Sequence, residues 1–340
     1  RQLTVKMLAV FILGLFVASG LAAEVCYEPC GCFHDNPPFD TRPLPESPED
    51  QEILWMLFTR SNPDVYVEVH WTLPPPSVFD ASKPTNYMLH GWTSTPGSLD
   101  DSSTMDPYFP TMIELKDALL SQFDHNVIVI DWSEGASRVF YPQSASNTQV
   151  VGKCSGYLAQ YLQPDFNMAH CIGHSLGGQT CGYMGVFTEG AMGRATGLDP
   201  AGPWFDSDDT DLRLDASDAD FVDIHHTNGE GASLGLGKPI GDVDFYPHLA
   251  GPQPPCEGVP GSCDHSICKG YYHASIMEAD NGCAFTSFPC ETEEDALAGQ
   301  CTSCTDGVDC QSMGYYSAFY PGRGTFYLEV NSDYPYCQDM

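Results

Sequence analysis

The sequence predicts an α/β fold with a mostly parallel central sheet and helices on both faces. Three observations point there. The run VIVI at 127–130 is apolar at every position, the pattern of a strand covered on both sides. From residue 85 to residue 198 strand-like and helix-like segments alternate along the chain. The stretch GHSLGG at 173–178 lies between a strand-like run and a helix-like run, a strand–turn–helix context.

In chain order, the N-terminus comes first. An apolar stretch runs from Met7 to Val17 after Lys6, and small residues then lead to Ala22 and Ala23. This is the pattern of a secretory signal peptide, residues 1–23, too short for a membrane span, with cleavage near Ala23. Strands are expected at ILWMLFTR (53–60), VYVEVHWT (65–72), TNYMLHGW (85–92) and NVIVIDWS (126–133). Helices are expected over 108–123 and 148–163, followed by a strand at 168–173, a helix from about 176 to 188 and a strand at 193–198. The C-terminal third is rich in Cys, Gly and Pro and reads as loop-heavy, with TFYLEV (325–330) as a last strand.

Composition narrows the class. With 42% hydrophobic and 12% aromatic residues in 340, the chain can bury a sizeable core. No later run is apolar enough to cross a membrane, so the mature chain is expected to be extracellular and soluble. Fifteen cysteines agree with an oxidising compartment. The net charge of −33 disfavours nucleic acid and anionic membranes as partners and favours solubility.

Two serines fit the pattern G-x-S-x-G, Ser175 in GHSLGG and Ser233 in GASLG. A serine hydroxyl attacks a carbonyl only if a base takes its proton and the site stabilises the oxyanion. The nucleophile elbow supplies that geometry, and it needs a strand before and a helix after the serine. Ser175 has both, whereas the four glycines Gly229, Gly231, Gly235 and Gly237 around Ser233 forbid a stable helix. Ser175 is therefore the candidate nucleophile. Partners should follow in the order acid, then histidine. Asp199, directly after a predicted strand, is the candidate acid, while Asp206, Asp208, Asp209 and Asp211 read as solvated surface. Position alone leaves His225, His226, His248, His265 and His273 open as the base.

The motifs LHGWTS (89–94), VIDWS (129–133), GHSLGG, TGLDPAGP (196–203), RLDASDADFVDIHHT (213–227), PIGDVDFYP (239–247) and CDHSICKGYY (263–272) occur in an order that resembles the catalytic domain of the pancreatic-lipase family. The resemblance runs from CYEPCGCF (26–33) to TFYLEV and implies an α/β-hydrolase fold over 24–340. It implies Ser175 as nucleophile, Asp199 as acid and His265 as base, with the backbone N–H groups of Leu176 and Trp92 as the oxyanion hole. His225 and His226 then become strand-end residues without a catalytic role. The family more often has Phe at the position of Trp92, but a backbone donor does not depend on that side chain. No cofactor is expected for catalysis. A structural calcium is implied in TDLRLDASD (210–218), with carboxylates from Asp215 and Asp218 and carbonyls from Thr210 and Arg213; the alternative is an acidic solvated loop.

The resemblance also implies the disulfides Cys26–Cys32, Cys256–Cys263, Cys290–Cys301 and Cys304–Cys310, and adds Cys268–Cys283. Cys30, Cys154, Cys171, Cys181 and Cys337 stay unassigned, and the odd total leaves at least one thiol unpaired within the chain. Cys171 is expected to be buried and inert.

Two departures shape the expected function, a secreted carboxylic-ester hydrolase releasing fatty acids from glycerolipids at a lipid–water interface. Larger lipases of the family close the active site with a long lid, whereas here only EGVPGS separates Cys256 from Cys263. Six residues cannot build a covering amphipathic helix, so an open site without pronounced interfacial activation is expected. In this family short lids accompany phospholipase A1 activity, which makes phospholipid a rival to triglyceride. The sequence stops soon after the last expected strand, before the family's C-terminal β-sandwich, so either it is a single-domain member or it is truncated, and no colipase dependence is expected. The competing readings are an inactive lipase-fold yolk or storage protein, a lipid-binding module, and a peptidase, against which the full motif set argues.

Overall fold

The computed structural model describes residues 23–97, 110–229, 233–258 and 262–339; the expected signal peptide, apart from Ala23, lies outside them. The chain opens with a hairpin of β1 (Glu24–Tyr27) and β2 (Gly31–His34), then lays down β3 (Leu54–Phe58), β4 (Val67–Glu68) and β5 (Thr85–Leu89). Helix α1 (Met112–Gln122) starts at a capping box in which Thr111 and Glu114 exchange side-chain-to-backbone hydrogen bonds. Residues 108 and 109 of the expected helix are outside the described residues. Strand β6 (Asn126–Asp131), the short α2 (Ser133–Ala136) and the long α3 (Tyr141–Leu162) follow.

Helix α3 starts seven residues earlier than its apolar pattern predicts. Pro142 sits in its first turn, a favoured place, and the polar stretch behind it is buried because it has partners. Ser146 donates to the Pro43 carbonyl at 2.6 Å, and Asn147 to Glu46 at 2.7 Å. Next come β7 (Ala169–His174), α4 (Leu176–Phe187), β8 (Arg194–Leu198), β9 (Val222–His225) and β10 (Val243–Pro247). The last third is more ordered than expected. It holds α5 (Ser262–Ser266), α6 (Cys268–Ile276), α7 (Glu278–Asn281), β11 (Cys283–Ala284), β12 (Thr286–Pro289), α8 (Glu293–Leu297), β13 (Gln311–Ser312), β14 (Gly324–Leu328) and β15 (Gln338–Asp339).

Among the described residues eleven strands form one sheet in the order β13-β12-β14-β10-β9-β8-β7-β5-β6-β3-β4. The seven strands from β14 to β6 pair in parallel, and the outer strands add antiparallel edges. The VIVI run behaves as its composition requires. Val127 and Val129 pack with Leu115 and Leu119 of α1, while Ile128 and Ile130 face Val150 and Leu158 of α3. A sheet sandwiched in this way between helices, with an elbow after the interior strand β7, is an α/β-hydrolase fold. Among the described residues no helix is long and apolar enough to cross a membrane.

Seven disulfides are formed: Cys26–Cys32, Cys30–Cys154, Cys171–Cys181, Cys256–Cys263, Cys283–Cys337, Cys290–Cys301 and Cys304–Cys310. The Cys268–Cys283 pairing is corrected. Cys283 lies on β11, which pairs with β15 beside Cys337, whereas Cys268 is buried at the start of α6 as the free thiol. Cys171 is buried, but it is joined to Cys181 across the strand–helix unit rather than left as a thiol.

Candidate active site

Strand β7 ends at His174 and α4 begins at Leu176, so Ser175 alone reverses the chain. It does this at φ 57°, a left-handed conformation uncommon for a residue carrying a Cβ. Such strain persists only where the surroundings fix it. The Ser175 N–H donates to the Leu198 carbonyl at 3.1 Å, and its own carbonyl accepts from Gly178 at 3.0 Å and Ala201 at 3.1 Å. The two flanking glycines are required by close approach. A Cβ on Gly173 would lie 2.1 Å from the Gly177 carbonyl oxygen, and one on Gly177 would lie 2.3 Å from that of Leu89. Ser233 has no such setting. Its hydroxyl donates to the Gly235 carbonyl at 2.9 Å, and among the described residues the chain runs on to β10 without a helix.

Asp199 directly follows β8, is completely buried, and also has a positive φ of 45°. One carboxylate oxygen, Oδ1, accepts the backbone N–H groups of Thr227 at 2.8 Å and Asn228 at 3.0 Å. The other, Oδ2, stands 2.5 Å from His265 Nδ1. His265 lies on the short helix α5, just after the Cys256–Cys263 disulfide. Its carbonyl accepts from His174 Nε2 at 2.8 Å, and the two imidazole centroids are 4.8 Å apart.

Asp199 and His265 are thus brought into direct hydrogen-bond contact, and His265 rests on the residue that precedes Ser175. Among the described residues no hydrogen bond joins Ser175 Oγ to the His265 ring. Bonds of this kind are commonly long in a substrate-free site and tighten around bound substrate. Leu176 opens α4, where backbone N–H groups have no helical acceptor. Trp92 lies in the turn after β5, and among the described residues neither N–H has an internal acceptor. The Trp92 indole N–H donates to the Arg138 carbonyl at 3.2 Å, which fixes this turn against the segment ahead of α3.

Of the other four candidate histidines, three are engaged elsewhere, and the ring nitrogens of the fourth, His225, are buried without a hydrogen-bond partner. His226 contacts the Leu236 carbonyl at 2.6 Å and Asp244 at 2.8 Å. His225 closes β9, and its Nε2 is 3.5 Å from Asp223 Oδ2, too long for a well-formed hydrogen bond. His248 pairs with Glu329 at 3.1 Å, and His273 meets Tyr334 at 3.3 Å. Burial lowers the pKa of His174 and of His225, so both favour the neutral ring.

In the loop expected to hold calcium, Asp218 Oδ2 accepts the Asp215 N–H at 2.9 Å, and Asp215 Oδ1 accepts from Ser217. Burial pushes the Asp218 carboxyl up to about 8, against the opposing effect of the hydrogen bond from the Asp215 N–H. Among the described residues neither carboxylate is salt-bridged to a lysine or arginine. Two buried acids without a paired lysine or arginine are oxygen donors of the kind a hard divalent ion takes. In donor chemistry these residues fit the group.

Several neighbours of these residues escaped the sequence reading. Thr227 and Asn228 act through backbone N–H groups, which carry no residue signature. Gly235 does have one, since a Cβ there would lie 2.4 Å from Asp199 Oδ2. The glycine-rich stretch that argued against a helix at Ser233 is what allows the loop to close over the acid.

Similarity to known proteins agrees with this picture. A family profile described as Lipase matches residues 23–336. The chain is 32% identical to a pancreatic triacylglycerol lipase of Cavia porcellus over 93% of its own length and 72% of the relative's. It is 33% identical to a pancreatic lipase-related protein 2 of Bos taurus over 94% and 73%. A lipase member H of Rattus norvegicus is 38% identical over 61% of this chain and 47% of that one.

Proposed function

This chain belongs to the Lipase family and is in outline a carboxylic-ester hydrolase of lipids, and within that frame we propose that it is a secreted glycerolipid hydrolase using Ser175, His265 and Asp199. The observation that carries the proposal is the 2.5 Å contact of Asp199 with His265, beside a serine held at a strained strand-to-helix turn.

In this reading the His265 ring, its tautomer set by Asp199, takes the proton of Ser175 as Oγ bonds to the ester carbonyl carbon. The oxyanion forms against the N–H groups of Leu176 and Trp92. Collapse breaks the acyl–oxygen bond, and the glycerol-side oxygen leaves with the proton carried by His265. Water, deprotonated by the same ring, then cleaves the acyl-enzyme and releases the fatty acid. Two backbone N–H groups hold the other Asp199 oxygen and so fix the carboxylate's orientation toward His265.

The signal-like pattern of the N-terminal residues and the disulfides support secretion. Calcium is assigned to Asp215, Asp218 and the carbonyls of Thr210 and Arg213, where it would neutralise two buried acids and tie the loop together without entering the reaction. The six residues between Cys256 and Cys263, of which 259–261 are outside the described residues, support an open site that accepts phospholipid as well as triglyceride.

The test is fatty-acid release from a triglyceride emulsion and from phosphatidylcholine vesicles, with calcium, beside Ser175→Ala. Release that vanishes in the variant supports the proposal, and the preferred lipid decides between lipase and phospholipase A1 action. Folded protein that releases nothing would move the reading to a non-catalytic lipid-binding or storage role.

A further inference from the structure

Beside the elbow the surface carries apolar side chains that a water-soluble exterior would not place together. Val139 is 99% exposed and Phe140 65% exposed, and they are adjacent in the chain. They project from a turn pinned on both sides. Before them, the Arg138 guanidinium donates to Glu46 at 2.8 Å and to Glu134 at 2.6 Å. After them, Tyr141 packs edge-on against Trp92 at 5.1 Å and at a tilt against Trp204 at 5.7 Å. Trp92 and Trp204 are themselves 39% and 45% exposed. The backbone of Leu234, another exposed apolar residue, bonds to Gly202 at 2.8 Å on the Trp204 side. Clustered exposed apolar residues mark an interaction surface, whereas isolated ones do not.

We propose that Val139 and Phe140 form a rigid wedge that docks the enzyme on an uncharged or zwitterionic lipid surface, with the nucleophile facing it. The inference rests on the hydrolase reading, because it explains how an open site meets aggregated substrate. Two features select a lipid surface as the occupant. The patch is continuous with the Gly91–Trp92 turn beside Ser175, since a Cβ on Gly91 would lie 2.8 Å from the Ser175 Cβ. The cation at the base of the wedge is already neutralised by two carboxylates, and the chain carries a net charge of −33. Nothing there attracts an anionic headgroup, and the field of the whole chain repels one. Apolar burial therefore supplies the docking energy. Because Arg138 and Tyr141 hold the turn, little conformational entropy is lost on insertion.

The experiment uses the calcium-loaded protein and vesicles of non-hydrolysable diether phosphatidylcholine, with and without diether phosphatidylglycerol. Partitioning is read by flotation, and hydrolysis of soluble p-nitrophenyl butyrate is followed in parallel. Burying a large apolar side chain is worth about ten- to a hundredfold in partitioning, so the double variant Val139→Ser with Phe140→Ser should bind at least about tenfold more weakly. Its turnover of the soluble ester should match the parent's. Phe140→Leu should keep the binding, which guards against a folding artefact, and anionic lipid should weaken it. Unchanged partitioning of the double variant, absence of partitioning by the parent, or tighter binding to anionic vesicles overturns the proposal. A parent protein that partitions through these residues yet cleaves no ester, soluble or aggregated, would instead remove the hydrolase reading and leave the docking surface standing.

Discussion

Asp199 Oδ2 stands 2.5 Å from His265 Nδ1, while the other oxygen of the same carboxylate accepts two backbone N–H groups. The acid is therefore fixed from one side and orients the imidazole from the other. Asp199→Asn should keep the fold but present the wrong tautomer of His265, lowering kcat by about 10³–10⁴-fold with little change in KM. Steady-state kinetics on a soluble ester checks this. A loss smaller than tenfold would show that the pair does not orient the base.

Gly235 offers an independent probe of the same contact. A methyl group there would sit 2.4 Å and 2.5 Å from the two Asp199 oxygens, so either the carboxylate or the loop must move. Gly235→Ala should depress kcat by about 10²-fold, since small displacements of catalytic groups cost that much. Wild-type kinetics in this variant would mean that the loop yields freely and that the acid is not held from that side.

Much of this arrangement was legible in the sequence, and the failures have physical causes. The strand–turn–helix around Ser175 stands out because an elbow needs glycine on both sides and apolar runs on each flank. Strand β9 did not stand out from its residue pattern, because Asp223 and His225 occupy it and Asp is depleted in strands; only the family resemblance implied a strand end at His225. Asp223 is tolerated there because Arg194 meets it with two hydrogen bonds, at 2.8 Å and 3.0 Å, a partner that only the fold brings close. The start of α3 was hidden for the same reason, its buried serine and asparagine being satisfied by distant backbone. The family resemblance supplied four disulfides, all closing short loops, and left Cys171–Cys181, Cys30–Cys154 and Cys283–Cys337 unassigned or mispaired. Cys30–Cys154 spans 124 residues and Cys283–Cys337 spans 54, and neither is fixed by local spacing.

That Arg194–Asp223 pair makes its own prediction. Burial opposes the Asp223 charge, but Arg194 and neighbouring groups hold its carboxyl well below the usual range. Removing one partner leaves a buried charge, so Arg194→Met should destabilise the fold by about 3–5 kcal/mol in urea unfolding at neutral pH. A change under 1 kcal/mol would contradict the role assigned to the pair.

Stability should also fall on mild acidification. Burial lowers the pKa of His170, His174 and His225 below the ordinary value, so the folded protein keeps them neutral while the unfolded chain protonates them near 6.5. Their contribution is present above about pH 6.5 and is lost as pH falls below it, at no more than about 1.4 kcal/mol per pH unit for each ring. Denaturant midpoints between pH 7.5 and pH 5.5 should show this slope, and His170→Asn should flatten it. An unchanged slope in that variant would point to other groups.

Chelation tests the metal assignment. If calcium joins Asp215 and Asp218, saturating it at about a hundredfold over its dissociation constant should add about 2.7 kcal/mol of stability. EGTA should therefore lower Tm, and Asp218→Asn should abolish the response. A Tm indifferent to calcium would leave Asp215 and Asp218 as buried acids that hold no metal.

The most direct test of the central claim is to react the folded enzyme with an ester-mimicking phosphonate and locate the adduct by peptide mass spectrometry. The account predicts one adduct per chain on Ser175, formed in step with loss of hydrolysis and absent in His265→Ala. An adduct on Ser233, or full inactivation with Ser175 unmodified, would contradict it.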